Sequence, residues 1–563
     1  MPPRRVNLTN AEIADRLAGL AQLLAAEKGN GYKVKAYQRA AARIRTLSES
    51  VEELVHENAD LTVYPGIGGS ISHAIREIVQ TGTIGTLERL RSQVRPEIAA
   101  LKDYPRLDPK LVLRAYKKLG ISSVEELIAK LDSGELEQAL GNRLSQHVRQ
   151  AVHGTHAILL YRAHELRAEV EAFLLNVGKA RAVVVTGSYR RCVETIAELS
   201  FLVESDDFDA LTARFERYGG HTPRVASTPT SATFSMSSGI RLRIDQATRE
   251  NWGIALIQST GSEAHLRKLA EAIAPLASVV NAGPYPSEMA FYERFQLSFI
   301  PPELREGHNE IELAKRGTLP RLVTAEDIRG ELHAHSASSD GADSIEDMAA
   351  AARDIGYQYI GITDHSQSLK IARGVSAEDL WKQVRYMDQL NSRLEGIRVL
   401  KSAEVDILAD GTLDYPDELL KELDYTVCSI HSRFALGKQE QTERILRAMD
   451  NRYFNILGHA TGRLLLKRPG YELDMERIIR HAKQNGCFFE INSSPDRLDL
   501  SAENARLASE SGVKIAVSTD AHSTREFGTV QYGIQQARRA GLEPASVLNC
   551  WPWDLLQPLF RRG

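Results

Sequence analysis

The stretch LHAHSASSDG, residues 332–341, decides the fold of the C-terminal part of the chain. Its two histidines, His333 and His335, are two residues apart, so on a β-strand their side chains point to the same face. Two imidazoles on one face can bind one metal ion. Asp340 follows in the next turn and adds a carboxylate. The pattern predicts a strand that ends in a metal site.

Residues 328–563 repeat this arrangement strand after strand. Short apolar runs such as YQYIGITDH and KIAVSTDAH alternate with helical stretches, and each run ends in polar residues. This alternation predicts a parallel α/β barrel whose site lies at the carboxyl ends of the strands. The candidate catalytic and metal-binding residues form one set: His333, His335, Asp340, His365, Glu404, His431, His459, Asp520 and His522.

The number of these residues indicates their chemistry. A single one would most simply be a hydrogen-bonded core or surface residue, but nine at successive strand ends predict two or three metal ions. Imidazole and carboxylate ligands suit zinc, manganese or iron. A cluster of such ions activates a water and clamps phosphate oxygens, so the predicted reaction is phosphoester hydrolysis.

The motifs HAH, SSDG, TDH, AEVD, SIHS, GHATGR, EINSSPDRLDL and STDAH closely resemble those of the polymerase and histidinol phosphatase (PHP) domain. The modules before them resemble the rest of a bacterial family X DNA polymerase, so the resemblance covers residues 7–563. It implies a 3′–5′ exonuclease that uses Mn²⁺ and/or Zn²⁺, often also active on abasic-site and 3′-phosphate ends. It also implies that Arg463 and Arg497 contact phosphate. For Arg497, which sits beside Asp496 and Asp499, a structural salt bridge is an equal alternative.

The same resemblance implies a multidomain fold. Helical periodicity over residues 7–160 and β-rich runs within residues 181–300 agree with it. The predicted parts are an all-α helix-hairpin-helix DNA-binding domain (1–160), an α/β nucleotidyltransferase-like palm and thumb (161–300), a linker (301–327) and a distorted, TIM-like α/β PHP barrel (328–563).

The stretch GSYRR, residues 187–191, resembles the turn with which family X polymerases position a nucleotide. The corresponding residues are Gly187, Ser188, Arg190 and Arg191. Those polymerases also use three aspartates, because two magnesium ions beside a triphosphate need several anionic oxygen ligands.

The three aspartate positions are occupied here by Glu198, Ser200 and Arg243. A glutamate would displace its metal, a serine carries no charge, and an arginine would repel a cation. Asp245 lies two residues past Arg243, on the same strand face, and could substitute only in part because Ser200 leaves a second position empty. The sequence therefore predicts a degenerate polymerase site without polymerase activity, while the phosphate-cradling turns remain.

The piece VYPGIGGSISHAIREI resembles a helix-hairpin-helix motif, with Gly66 and Gly68 as the turn glycines before a helix that contacts a DNA phosphate. Two further copies are eroded, with Arg106 and Asp108 in place of glycines in one and only Gly141 kept in the other. The lysines that could still contact phosphate are Lys110, Lys117 and Lys118. Ala74 stands where related polymerases with lyase activity place a Schiff-base lysine, so no such lyase is expected.

The composition of the 563-residue chain sets limits on its class. The net charge is −4, residues 1–160 carry a surplus of about four positive charges, and the apolar runs are too short to span a bilayer. Four separated cysteines and the absence of a secretory signal pattern predict a cytoplasmic protein without disulfides. The expected partner is gapped, nicked or 3′-ended DNA, with no membrane. The family's usual state suggests a monomer.

Three other hypotheses stay open from the sequence. The first is a gap-filling polymerase with relocated metal ligands, against which Ser200 and Arg243 argue. The second is a noncatalytic DNA-binding protein with structural metals, although structural sites usually have four ligands. The third is a phosphatase of a small molecule, against which the hairpin turn argues.

Overall fold

The computed structural model describes most of the chain and divides it into two compact units. The described residues are 8–26, 31–86, 114–115, 117–121, 124–141, 144–145, 148–149, 157–236, 239–273, 279 and 283–561. Among them, no helix is long and apolar enough to cross a bilayer.

The first unit comprises Met1–Arg190, Thr195–Gly261 and Ala274–Arg294. Its amino-terminal helices pack through small and aliphatic side chains, among them Ile13, Leu17 and Ile75, which are fully buried. Its α-helices are Asn10–Ala26, Gly31–Ile44, Val51–His56, Gly69–Thr81, Val124–Asp132, Glu135–Leu140, Leu160–Asn176, Gly187–Arg190, Phe208–Phe215, Trp252–Thr260 and Glu288–Arg294.

The first unit also contains a five-stranded mixed sheet with the order β2-β4-β7-β6-β5. Strand β4 runs parallel to β7 and antiparallel to β2, and β6 runs antiparallel to β5 and β7. A two-stranded ribbon pairs β1 with β3. The strands are β1 (Ile158–Leu159), β2 (Ala182–Thr186), β3 (Thr195–Ile196), β4 (Glu198–Glu204), β5 (Arg224–Thr228), β6 (Ser231–Ser235) and β7 (Arg241–Gln246).

The second unit comprises Arg191–Glu194, Ser262–Ile273 and Phe295–Gly563. Its seven strands are all parallel and follow one another in sequence order. A bridge between Ala334 and Ala521 joins the first strand to the end of the last, so the barrel is nearly closed. The strands are β8 (Gly330–Ala334), β9 (Tyr359–Ile362), β10 (Arg398–Asp406), β11 (Tyr425–Ser429), β12 (Ile456–Leu457), β13 (Phe488–Asn492) and β14 (Ile515–Ser518).

Helices follow most of these strands and cover the barrel. Several begin at a residue whose side chain accepts a hydrogen bond from the third helical N–H, as Ser344, Ser376 and Ser501 do, which stabilises the first turn. The α-helices of this unit are Glu263–Ile273, Glu310–Arg316, Ile345–Asp354, Ala377–Asn391, Asp417–Leu420, Lys438–Met449, Met475–Asn485, Ala502–Glu510, Val530–Arg539 and Trp553–Phe560.

The barrel interior has an apolar layer below its polar end. Because side chains alternate along a strand, Phe488, Glu490 and Asn492 share one face of β13, and Ala516 and Ser518 share one face of β14. The buried apolar members of this layer pack on the helix Trp553–Phe560. The apolar layer thus closes one end, and the polar side chains collect at the other.

The multidomain fold class predicted from the sequence is confirmed, with an N-terminal helix-hairpin-helix region and a C-terminal parallel barrel. The second unit also takes in Arg191–Glu194 and Ser262–Ile273, which precede the predicted boundary at residue 300. The individual domain boundaries stay predictions.

Candidate metal centre

The nine predicted ligand side chains meet at the carboxyl ends of the barrel strands. Strand β8 and its first following residue supply His333 and His335, and the turn after them supplies Asp340. Five of the six remaining strands add residues close to or just after their ends: His365 (β9), Glu404 (β10), His431 (β11), His459 (β12), and Asp520 and His522 (β14). In sequence these residues span 333–522, and barrel formation brings them together.

Glu404 lies at the middle of one half of the cluster and is fully buried. Its Oε1 lies 2.9 Å from His459 Nε2 and 3.3 Å from His431 Nε2. Its Oε2 lies 2.7 Å from His365 Nδ1 and 3.5 Å from His333 Nε2. One carboxylate therefore faces four imidazoles, and together these side chains could hold metal ions.

Asp520 and Asp340 occupy the other half. Asp520 Oδ1 lies 3.0 Å from His335 Nε2 and 3.5 Å from His333 Nε2. Asp340 Oδ1 lies 3.4 Å from His522 Nε2 and 3.5 Å from His365 Nε2. Three groups have ligand atoms within 4.8 Å of one another: His335, Asp340, His365 and His522; His333, His335 and Asp520; and His365, Glu404 and His431.

The donor atoms fit metal ions. Buried atoms without a hydrogen-bond partner of good geometry include His333 Nε2, His335 Nδ1, His365 Nδ1 and Glu404 Oε2. A buried polar atom without a hydrogen bond costs about 1–3 kcal/mol. His365 Nδ1 and Glu404 Oε2 face each other at 2.7 Å, but His333 Nε2 and His335 Nδ1 still indicate that something else satisfies them. Divalent cations bound by imidazole and carboxylate would do so.

The electrostatics of the cluster favour ionised carboxylates. Burial alone would raise the pKa of Glu404, but His365, His431 and His333 hold it well below its usual range. Burial opposes the ionisation of Asp520 in the same way, and His333 and His335 hold its pKa well below the usual value. Both groups are therefore charged and ready to bind cations, which need deprotonated ligands.

Sequence reasoning missed a second layer of acidic residues. Glu490 Oε1 lies 2.6 Å from His333 Nδ1, and its Oε2 accepts a hydrogen bond from the His459 backbone N–H at 2.7 Å. Asp406 Oδ1 lies 3.2 Å from His431 Nδ1. Such carboxylates fix the ring orientation and tautomer of a ligating histidine. A signal for Asp406 was visible in AEVD, where it lies two residues from Glu404 on the same strand face.

Two of the candidate ligands have a strained backbone. His459 has φ of 26° and Asp520 has φ of 55°, and non-glycine residues rarely adopt such values. Strain of this kind persists only where the surrounding structure enforces it, and it concentrates at functional sites.

The two predicted phosphate contacts differ in their surroundings. Arg463 forms an ion pair with Glu194, with Nη2 to Oε1 at 2.6 Å, and donates to the backbone carbonyls of Arg497 and Leu498. Arg497 Nε lies 3.9 Å from Asp520 Oδ2, which places it beside the metal centre. Asp496, one of the two acids beside Arg497 in the sequence, pairs with Lys467.

In the first unit, the GSYRR turn begins with Gly187 at φ of 64°, where a Cβ would lie 3.3 Å from Ser200 Oγ. Ser188 lies in the short helix Gly187–Arg190. Arg190 is held by both carboxylate oxygens of Glu288 and by the Thr260 hydroxyl. Within the second unit, Arg191 Nε lies 3.0 Å from Glu306. Both arginines thus already have acidic partners.

The three positions at which family X polymerases carry aspartates lie close together on the central strands. Ser200 on β4 is directly opposite Arg243 on β7, and the Ser200 hydroxyl donates to Glu198 Oε1 at 3.2 Å. Arg243 Nε lies 2.9 Å from Asp245 Oδ2. Asp245 is opposite Leu202, which is two residues from Ser200 along β4. The Asp245 carboxylate is thus engaged by Arg243.

The first hairpin turn has the geometry expected of its glycines. Gly66 has φ of 87°, and Gly68 precedes the helix Gly69–Thr81 without a side-chain cap. Both glycines are exposed, whereas Ala74 packs in the core. Of the predicted lysine contacts, Lys117 and Lys118 lie on a helical segment; Lys110, together with Arg106 and Asp108, lies outside the described residues. DNA contact by Gly66 and Gly68 stays a prediction.

Comparison with known proteins places this arrangement among described families. A helix-hairpin-helix domain pattern matches residues 8–84, and a PHP domain pattern matches residues 331–494. The chain is 34% identical over 547 residues to the DNA polymerase/3′-5′ exonuclease PolX of Bacillus subtilis (strain 168), covering 92% of this chain and 94% of that protein. A probable phosphatase of Thermoanaerobacter sp. (strain X514) is 34% identical over 230 residues, which is 39% of this chain and 89% of the relative. A probable phosphatase of Acetivibrio thermocellus is 30% identical over 207 residues, 35% of this chain and 81% of the relative.

Proposed function

Because this chain belongs to the PolX family, we propose that it is a metal-dependent DNA phosphodiesterase that acts as a 3′–5′ exonuclease in DNA repair, with its hydrolytic centre in the PHP barrel. The observation that supports this most is the cluster of nine ligand-type side chains, four of whose buried polar atoms make no hydrogen bond of good geometry. The PolX relative carries both polymerase and 3′-5′ exonuclease in its name. The choice between the two rests on the residues of this chain.

The nine side chains would hold two or three ions, Mn²⁺ and/or Zn²⁺. Such ions, when bound, lower the pKa of an attacking water and stabilise charge on the phosphate and the leaving oxygen. Glu490 holds His333 with its Nε2 turned toward Glu404 and Asp520. Arg497, beside Asp520, can neutralise a phosphate oxygen of the terminal nucleotide.

We also propose that the chain has no DNA polymerase activity. A divalent ion at the polymerase site would meet the Ser200 hydroxyl where a carboxylate is needed and the guanidinium of Arg243 directly across the strand pair. Asp245 cannot serve freely, because both of its oxygens lie within 3.0 Å of Arg243 Nε. The first unit would then act as a platform for gapped, nicked or 3′-ended DNA. Monomeric state and a cytoplasmic location stay predictions.

A phosphatase acting on a small molecule is the second candidate. It is favoured by the similarity of little more than a third of this chain to most of the length of two proteins named as probable phosphatases. The helix-hairpin-helix match over residues 8–84 favours DNA.

The test uses the full chain with a 5′-labelled primer on gapped DNA, with Mn²⁺ or Zn²⁺, with and without the four dNTPs. The variants are His333→Ala, Asp245→Ala and the control His481→Ala, whose histidine pairs with Asp450 on the outer helices. We expect primer shortening by the parent and His481→Ala but not by His333→Ala, and no extension with dNTPs.

Three outcomes would contradict parts of the proposal. Primer extension that disappears in Asp245→Ala would show a rebuilt polymerase site. Hydrolysis of p-nitrophenyl phosphate without any shortening of DNA would favour the small-molecule phosphatase. Equal shortening by the parent and His333→Ala would remove the barrel from the reaction.

A further inference from the structure

The segment Arg191–Glu194 belongs to the second compact unit, although it precedes the barrel by more than a hundred residues in the sequence. Gln536 Nε2 donates a hydrogen bond to the backbone carbonyl of Cys192 at 2.9 Å, and Cys192 has φ of 58°. The first residue of the segment pairs with Glu306, which also lies 3.0 Å from Arg539. The segment is therefore fixed to this unit through its backbone as well as its side chains.

The last residue of the segment forms a two-point ion pair. Glu194 Oε1 lies 2.6 Å from Arg463 Nη2, and Glu194 Oε2 lies 3.3 Å from Arg463 Nη1. The two side chains are only 18% and 16% exposed, so the pair is poorly screened by water. A guanidinium and a carboxylate paired in this way fix each other's orientation. Arg463 follows the candidate ligand His459 by four residues.

The other side of the Arg463 guanidinium faces the loop after β13. Its Nε donates to the Arg497 carbonyl at 3.0 Å, and its Nη2 also donates to the Leu498 carbonyl. Burial raises the pKa of nearby Asp499, and the positive charge of Arg463 opposes that rise. Glu194 and Asp499 thus attract the same guanidinium, and the position that it takes determines where the two carbonyls lie.

This loop carries Arg497 to the metal centre. The Arg497 N–H donates to the Ser494 carbonyl at 2.8 Å, and Leu498 has φ of 45°, a value that persists only where neighbours enforce it. Arg497 Nε lies 3.9 Å from Asp520 Oδ2. Displacement of the loop backbone would therefore move a side chain that brings a positive guanidinium next to this ligand carboxylate.

We propose that Glu194 is a positioning residue of the hydrolytic site: through Arg463 it fixes the backbone of residues 497–498 and so places the Arg497 guanidinium beside Asp520, where a substrate phosphate binds. The inference deepens the proposed function and rests on it. It changes the role expected of Arg463, which acts on the loop backbone, while Arg497 makes the phosphate contact.

The test is a double-mutant cycle in the full-length protein with Glu194→Gln, Arg463→Met and both together. Each is assayed for Mn²⁺-dependent shortening of a 5′-labelled primer, for Mn²⁺ affinity by calorimetric titration, and for thermal unfolding. The control is Asp496→Asn, at the residue before Arg497 on the same loop. It removes a solvent-exposed ion pair with Lys467. The amide in Glu194→Gln keeps the shape of the side chain, so this variant is expected to fold.

Loss of an outer positioning group typically lowers activity about 10- to 100-fold. We expect kcat/KM to fall about tenfold in Glu194→Gln, with Mn²⁺ affinity and the unfolding temperature near those of the parent and Asp496→Asn. Glu194→Gln should cause no further loss once Arg463→Met is present. Parental kcat/KM in Glu194→Gln, or losses that multiply in the double variant, would overturn the inference. A parent without metal-dependent shortening would overturn the proposed function itself and the inference with it.

Discussion

Replacing Glu490 by glutamine tests whether the barrel cluster is a metal centre. Glu490 is fully buried, and its two oxygens face different donors: Oε1 the His333 ring, and Oε2 the His459 backbone N–H and, at 3.4 Å, the Asn492 amide. Glutamine has one carbonyl oxygen and one NH₂ group, so at one of these two positions a donor must then face another donor. Leaving a buried donor without an acceptor costs about 1–3 kcal/mol.

That cost converts to about a 5- to 150-fold change in an equilibrium constant, because about 1.4 kcal/mol corresponds to tenfold. It agrees with the roughly 10- to 100-fold losses seen when the carboxylate partner of a ligating histidine is removed. We therefore expect Glu490→Gln to bind Mn²⁺ about 10- to 100-fold more weakly than the parent. Calorimetric titration of the metal-free protein measures this directly, and the exonuclease rate as a function of Mn²⁺ concentration measures it independently.

The matched control is Glu503→Gln, an exposed glutamate on the helix Ala502–Glu510. It should bind Mn²⁺ like the parent. Mn²⁺ affinity and rate within twofold of the parent in Glu490→Gln would refute the reasoning, since the variant would then show that His333 needs no fixed orientation to bind metal.

Three further outcomes follow from single positions. Gly458→Ala would place a Cβ 2.4 Å from Ser429 Oγ next to the metal centre. Such overpacking should lower the free energy of unfolding by about 1–3 kcal/mol in urea titrations, and an unchanged free energy of unfolding would contradict the close packing. Gly66→Ala must hold a left-handed φ of 87°, which costs about 1–2 kcal/mol, so we expect weaker DNA binding in fluorescence anisotropy, and parental affinity would argue against a role of this turn. Burial raises the pKa of both Cys192 and Cys550 to about 12, so at pH 8 these partly buried thiols stay protonated. They should react with a disulfide reagent far more slowly than in the urea-unfolded chain, and equally fast labelling would contradict this raised pKa.

Some of the site could be predicted from the sequence because it is encoded locally. Each ligand-type residue lies at or just after a short apolar run, as His431 follows YTVCS and His459 follows FNILG. Parallel strands in a barrel all end at the same rim, so residues in the same local position must converge there. The predicted loss of the polymerase aspartates rests on the same kind of local signal, since Glu198 and Ser200 occupy alternate positions of one strand.

The partners of these residues were decided only by tertiary structure. His333 and Glu490 are 157 residues apart, and Arg463 and Glu194 are 269 residues apart. In the sequence, Glu194 is an acidic residue three positions after the GSYRR turn, and no motif distinguishes it. Arg463 is a candidate for phosphate binding. A hydrogen bond depends on the distance and angle between two atoms, and local spacing fixes neither for residues on separate strands. The sequence thus specifies which groups stand at the rim, whereas barrel closure and loop packing determine which carboxylate orients each histidine and which guanidinium is left to meet a phosphate.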